Sequence, residues 1–399
     1  MRNIAIMSTL LLSNLLAACS DDTPVIDQPS LPIITFDQAP ALVMFHEGVD
    51  GPWQPATMKS PTFYEIDVSG PYVVTAVCED PSTGRARTQQ VARALGDTTT
   101  LTLSCAMAPS EPPIEHVITG HMVQAGLVQL GSSSDASDVA DWDFQLSAPS
   151  GSYDLIAASA ERLVVRRAVV VDGDLVVTSP IDVAAEGTAL VDVAFTAPNA
   201  TADETVAVLV DLATPTTPLP ARLYLGPAAT AKAARTGELL SADTQRVAVR
   251  ATHGGALREL RRPFRIDDAT EYALPEPLGG VQWAIEHGQL STTWTTLPPL
   301  DRLAMSARSS DDAVIATHDL DMSPQFLAET GITHIAIDTD IPGYKPAWRI
   351  DVTRPYTREL TATHQVREEL ATSSVTEAVN VPVPDERPTP RTVRVPSLR

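Results

Sequence analysis

The residues able to do chemistry are scattered along this chain, and their spacing excludes more than it supplies. Acidic side chains gather in three places: Asp135, Asp138, Asp141 and Asp143 around Trp142; His318-Asp319-Leu320-Asp321; and Asp338-Thr339-Asp340-Ile341-Pro342-Gly343. Hard oxygen ligands at alternating positions suit calcium, and the last segment has the D-x-D…G start of a calcium loop, so Asp338 and Asp340 are the calcium candidates. That segment lacks a third acid and a distal bidentate glutamate, and among 50 acidic residues a solvated loop is the competing reading. The eight histidines (His46, His116, His121, His253, His287, His318, His334 and His364) include no pair at i, i+4. His116 and His121, five apart, would face opposite sides of one strand. No G-x-S-x-G, H-E-x-x-H, P-loop or G-x-G-x-x-G is present, so no catalytic residue is assigned and a non-enzymatic protein is expected. Paired carboxylates for glycoside hydrolysis need meet only in space, which keeps a carbohydrate-active hydrolase as one alternative, and a calcium-stabilised adhesion module is the other. Trp53, Trp142, Trp283, Trp294 and Trp348 would serve either as a sugar platform or as one tryptophan per domain core. Trp53, following Gly51-Pro52, is expected to be the most exposed. Arginines cluster from Arg258 to Arg265 and in the tail (Arg387, Arg391, Arg394, Arg399), available to an acidic partner or surface glycan, or simply solvated.

The first nineteen residues carry an address. Arg2 is followed by an apolar stretch, Ile4 to Leu16, broken only by Ser8, Thr9, Ser13 and Asn14, and closed by Leu16-Ala17-Ala18-Cys19. The stretch is shorter than the roughly 20 residues a membrane span needs and reads as a secretory signal. Leu16-Ala17-Ala18-Cys19 resembles the lipobox of bacterial lipoproteins. The resemblance implies cleavage before Cys19, lipidation of its thiol and tethering of the mature chain to the membrane. Ser20, rather than aspartate, behind the cysteine implies sorting to the outer membrane. Two or more acyl chains give durable anchoring where one is marginal. With Cys19 lipidated, Cys78 and Cys105 remain as a pair in an oxidising compartment, each on the apolar face of its expected strand. Such a pair suits a disulfide between sheets, with two buried thiols as the alternative.

Composition sets the frame for these residues. At 399 residues and 44% apolar, the chain has material for two to four domains with real cores. Thirty-three prolines and 20 glycines argue against long helices and α-solenoids. A formal charge of −22 argues against a nucleic-acid partner. The charge is uneven: residues 20–200 hold 24 acids and 7 bases, residues 201–399 hold 26 and 20.

The elements that must position these side chains read as β almost throughout. Expected strands are Tyr72–Cys78, Thr98–Cys105, Val164–Val171, Asp174–Thr178, Thr205–Leu212, Arg246–Ala251, Leu290–Trp294, His334–Asp338 and Trp348–Val352. Asp172-Gly173 between two of them predicts a hairpin with a type I′ turn. Helices are expected only at Ala228–Ala234 and Pro324–Glu329, with Glu359–Leu370 ambiguous. Proline-rich marks at 106–113, 196–203 and 275–277 suggest boundaries. The organisation is then a signal peptide (1–18), an acidic stalk (19–33), β domains over 34–108, 114–198, 201–277 and 278–379, and a proline-rich tail (380–399). The fold class is all-β, tandem antiparallel β-sandwiches with few short helices. Ala148-Pro149-Ser150-Gly151-Ser152-Tyr153-Asp154-Leu155-Ile156-Ala157 resembles the strand start of carboxypeptidase-regulatory-like (prealbumin-like) sandwiches. Residues 34–105 resemble Ig-like domains, and 288–308, with Trp294 before Pro298-Pro299, a fibronectin type III start. The whole resembles the multi-domain surface lipoproteins of Gram-negative bacteria, which implies a location and an architecture but no activity.

Overall fold

The computed structural model describes residues 31–80, 84–105, 114–216, 219–235, 239–286, 289–309, 316–349, 356–366 and 371–381. Cys19, the 106–113 linker and the tail arginines lie outside these residues. What is described is all-β with two short helices.

The first unit packs two sheets. Its strands are β1 (Ile33–Phe36), β2 (Leu42–Glu47), β3 (Gln54–Pro55), β4 (Thr57–Ser60), β5 (Phe63–Glu65), β6 (Tyr72–Asp80), β7 (Arg85–Arg93) and β8 (Thr100–Leu103). One sheet runs β4-β5-β1-β8; the facing strands run β7-β6-β2-β3. The period-two pattern of β8 buries Leu101 and Leu103 and exposes Thr100 and Thr102. Cys78 on β6 and Cys105 beyond β8 are both buried and form a disulfide between the sheets, with Cα atoms 5.1 Å apart. β1 and β8 pair in parallel, a departure from the wholly antiparallel expectation.

The second unit comprises β9 (His116–Met122), β10 (Gly126–Leu130), β11 (Ser133–Ser137), β12 (Trp142–Ala148), β13 (Gly151–Ala158), β14 (Arg162–Val171), β15 (Leu175–Ile181), α1 (Val183–Glu186) and β16 (Thr188–Val193). The expected β14–β15 hairpin does not form. β14 pairs with β13 and β16, whereas β15 crosses to the other sheet and lies parallel to β9. Both strands carry an inward apolar face, Val164 and Val171 on β14, Leu175, Val177 and Ile181 on β15. They line one core from opposite sides only if the chain changes sheet between them, and Gly173 accordingly lacks the positive φ a type I′ turn requires.

The third unit comprises β17 (Thr205–Ala213), β18 (Ala221–Pro227), β19 (Ala231–Ala234), β20 (Thr244–His253) and β21 (Ala256–Pro263). The helix expected over 228–234 is instead a 3-10 turn, Ala228–Thr230, followed by β19. β19 pairs with β16 and buries Ala231, Ala233 and Ala234; close packing against a neighbouring strand overrides the weak local preference of alanine. Residues 196–203 are not a spacer: the Asn199 side chain exchanges hydrogen bonds with the Leu274 backbone at 2.7 and 2.9 Å. The core of this unit takes Ile156, Ala158 and Leu163 from the second, so the two share apolar interior.

The fourth unit comprises β22 (Gln282–Glu286), β23 (Gln289–Thr293), β24 (Arg302–Ser309), β25 (Ala316–Met322), α2 (Pro324–Thr330), β26 (His334–Ala336), β27 (Tyr356–Val366) and β28 (Ala371–Val381). Helix α2 stands where expected: the Ser323 hydroxyl accepts from Phe326 N–H, Pro324 fits the first turn, and Gly331 at φ 63° ends it. The ambiguous 359–370 stretch is strand through Val366, with Leu360 and Ala362 buried at period two. Trp348, expected in a strand, sits in a 3-10 turn, Pro346–Trp348. β28 runs to Val381, into the span expected to be tail.

These units are not beads on a string. Twelve strands form one continuous sheet, β18-β17-β20-β21-β28-β27-β24-β25-β7-β6-β2-β3. The third unit joins the fourth through β21–β28, and the fourth joins the first through β25–β7, which pair in parallel from Ala316–Ala86 to Met322–Ala92. The chain thus returns its last unit to its first.

Candidate binding cleft

The return creates a cleft of about 200 Å³ between the first and fourth units. His46 enters from β2, Trp53 and Asp50 from the β2–β3 connection, and Gln90 from β7. The fourth unit supplies Leu320, Met322, Phe326 from α2, His334 and Asp338. β2 is buried on both faces: Val43 and Phe45 point into the first core, while Met44 packs with Ile341, Tyr344 and Trp348 of the fourth unit. His46 continues that second face, which explains a buried histidine in an otherwise apolar strand.

Asp338 is held from several directions. The Trp53 Nε1–H donates to its Oδ2 at 2.7 Å, the Asp340 backbone N–H donates to its Oδ1 at 2.7 Å, and Gln90 Nε2 donates to its carbonyl at 2.9 Å. Trp53 also meets His46 edge to face, with ring centroids 4.4 Å apart. Burial lowers the His46 pKa, against the pull of the Asp338 and Asp50 charges, and its Nδ1 has no hydrogen-bond partner.

A second polar set fixes the wall behind the cleft. The Thr88 and Tyr344 hydroxyls hydrogen-bond at 2.8 Å, Tyr344 donates to the Trp348 carbonyl at 3.0 Å, and His318 Nε2 lies 2.9 Å from the same carbonyl. Burial takes the Tyr344 pKa up to about 12 and the His318 pKa down to about 4. Ion pairs flank the β7–β25 seam: Arg87–Asp319 at 3.1 Å, Arg93–Asp321 at 2.8 Å and Lys345–Glu79 at 2.9 Å.

Several sequence candidates find other places. Asp338 and Asp340 are neighbours in a hydrogen-bonded turn, and among the described residues no group of three or more metal-ligating side chains could hold an ion. In the first acidic cluster His121 is bracketed by Asp143 at 2.9 Å and Asp141 at 3.6 Å, all on the exposed face. Trp53, expected to be exposed, is half-buried against Asp338. Trp294 and Trp348 are core residues, and the Trp142 Nε1–H donates to the Gln124 carbonyl. Of the Arg258–Arg265 group, Arg258 is buried, Arg261 and Arg262 are half-buried and Arg265 is exposed. Arg258 pairs with Glu204 at 2.5 Å, Arg261 lies 3.3 Å from Glu259, and Arg262 stacks over Tyr272 at 4.0 Å. Sequence reasoning did not single out His46, Asp50 or Gln90. The one available signal was a titratable residue ending the apolar run Leu42-Val43-Met44-Phe45.

No model of a known protein family matches the chain, and no curated protein matches it in sequence.

Proposed function

We propose that this is a lipid-anchored cell-envelope protein that binds a small ligand and does no chemistry on it. The observation that carries the binding part is the inter-unit cleft, a hollow lined by both apolar and polar side chains at a domain junction, where small-molecule sites concentrate. The anchoring part rests on Leu16-Ala17-Ala18-Cys19 behind its apolar stretch. Membrane attachment through Cys19, sorting to the outer membrane and the absence of a nucleic-acid partner belong to this reading. Fractionation of cells expressing the wild type or Cys19→Ala tests it: lipidated protein pellets with membranes, the substituted protein does not. If both pellet alike, the anchor reading fails.

A glycosidase reading would draw on Asp50 and Asp338, the two carboxylates of the cleft. The binder reading is preferred because both Asp338 oxygens already accept N–H donors, which suits a fixed acceptor better than a proton-transfer group. Release of reducing sugar from envelope glycans, lost in Asp50→Asn, would reverse that preference.

A further inference from the structure

The free edge of a strand runs along the cleft and names its occupant, granted that the cleft is a binding site. β26 is the last strand of the sheet β22-β23-β26 and pairs only with β23 among the described strands. The Trp294 N–H donates to the Thr333 carbonyl, the Ile337 N–H donates to the Leu290 carbonyl, and Thr292 lies opposite Ile335. Hydrogen-bonded positions alternate in an antiparallel ladder, so Thr333, Ile335 and Ile337 turn their backbone groups to β23. His334 and Ala336 turn theirs the other way, and no backbone hydrogen bond reaches them among the described residues. His334, Ile335 and Ala336 all line the cleft. An unpaired edge of this kind is a template for another extended backbone.

The rest of the cleft suits a side chain carried by such a backbone. His46, Val73, Ala92 and Met322 stand in one row across β2, β6, β7 and β25, and Phe326 of α2 joins them in the lining. The volume falls below the roughly 300–1,000 Å³ of drug-sized sites and fits a single aliphatic side chain. Polar groups remain beside it: His46 is 6% exposed with an unpartnered Nδ1, and the exposed His334 stands on the edge itself. Asp338 is not among them, because both its oxygens already accept N–H donors. Asp50 is the exposed carboxylate of the cleft, no lysine or arginine lines it, and the chain carries a formal charge of −22. Charge complementarity therefore favours a basic segment over a second copy of this acidic chain.

We propose that the cleft receives a short, extended, basic peptide segment of another protein, which adds to the free edge of β26 as a fourth strand and sets one aliphatic side chain against Val73, Met322 and Phe326. The side chains on either side of that residue point away from the floor. Main-chain pairing supplies affinity, and the pocket reads the one inserted position.

Full-length protein in a non-ionic detergent is titrated by calorimetry with a blocked pentapeptide that has leucine at its centre, lysine beside it and threonine elsewhere. Glycine for the leucine, or glutamate for the lysine, should weaken binding about tenfold. N-methylation of alternate backbone nitrogens should abolish binding in one phase and be tolerated in the other, since only one set faces β26. Amide exchange at His334 and Ala336 should slow about tenfold with peptide bound, while Ile337, already bonded to β23, changes little. Asp50→Asn should remove the preference for lysine over glutamate. Ala336→Pro, which deletes an outward N–H, should weaken the leucine peptide about tenfold; the exchange readout on wild type decides if that variant does not fold. Equal effects of the two N-methylated phases, or unchanged exchange at Ala336 under saturating peptide, overturn strand addition while leaving the cleft as a site. Slowing that follows protein concentration without peptide assigns the edge to a second copy and overturns the proposal equally. Failure of the peptides and of 3-methylbutan-1-ol, a probe of the pocket alone by saturation-transfer NMR, to bind overturns the binding reading beneath it.

Discussion

Arg258 and Glu204 make the sharpest energetic test of this architecture. Their side chains are 5% and 10% exposed, and the guanidinium meets both carboxylate oxygens, at 2.8 and 2.5 Å. The same guanidinium donates to the Pro275 carbonyl at 3.0 Å and the Asn199 carbonyl at 3.1 Å, so it ties the two ends of the third unit together. Arg258, aided by Thr201, holds the Glu204 pKa at about 2 rather than 4.5. At about 1.4 kcal/mol per pKa unit that shift corresponds to about 3 kcal/mol. Removing one partner of a buried pair costs a similar amount, since the other is left charged and unpaired. Arg258→Met is therefore expected to destabilise the third unit by about 3 kcal/mol at pH 7. The folded pKa is depressed, so the unfolded chain binds the proton first on acidification. The contribution is complete above pH 4.5 and is lost as the pH falls through 2. Native-state amide exchange on β20 and β21 is the assay, because a molecule of several units need not unfold in one step. At pH 7, Arg258→Met should accelerate exchange about a hundredfold, and the gap from wild type should narrow steadily below pH 4.5. A gap of under threefold at pH 7, or one unchanged at pH 2.5, would refute the reasoning.

Cys78 and Cys105 close a loop with a sequence separation of 27, and Cys78→Ser/Cys105→Ser should lower stability of the first unit by roughly 3–4 kcal/mol on the chain-entropy view; thermal unfolding with and without reductant checks this, and a wild-type midpoint insensitive to reductant contradicts it. His318, neutral and buried with a pKa near 4, takes its proton more readily when unfolded, so wild-type stability should fall as the pH drops from 6.5 through 4, by up to about 3 kcal/mol. His318→Gln should flatten that profile in urea titrations across the range. A Cβ added at Gly120 would stand 2.3 Å from the Phe144 ring in the core of the second unit, so Gly120→Ala should cost about 1–3 kcal/mol, read from denaturant midpoints.

Local pattern marked several of the strands and α2, because period-two burial and helix caps are written within a few residues. Period-two burial marks β8, and a serine cap, a proline and a terminal glycine mark α2. The Cys78–Cys105 bridge was also legible, since Cys78 faces inward on β6 and Cys105 continues the inward alternation of Leu101 and Leu103 just beyond β8. Where neighbours in space decide, pattern misled. Ala231–Ala234 became a strand because β16 lies alongside, and β15 left β14 because one core needed lining from two sides. The cleft was invisible for the same reason. Trp53 and Asp338 are 285 residues apart and meet only because β25 pairs with β7. A residue's type and its face on a strand are properties of the sequence alone. Which distant strand edge it is brought against is a property of the folded sheet, and that pairing sets the partners of His46, Trp53, Gln90 and Asp338.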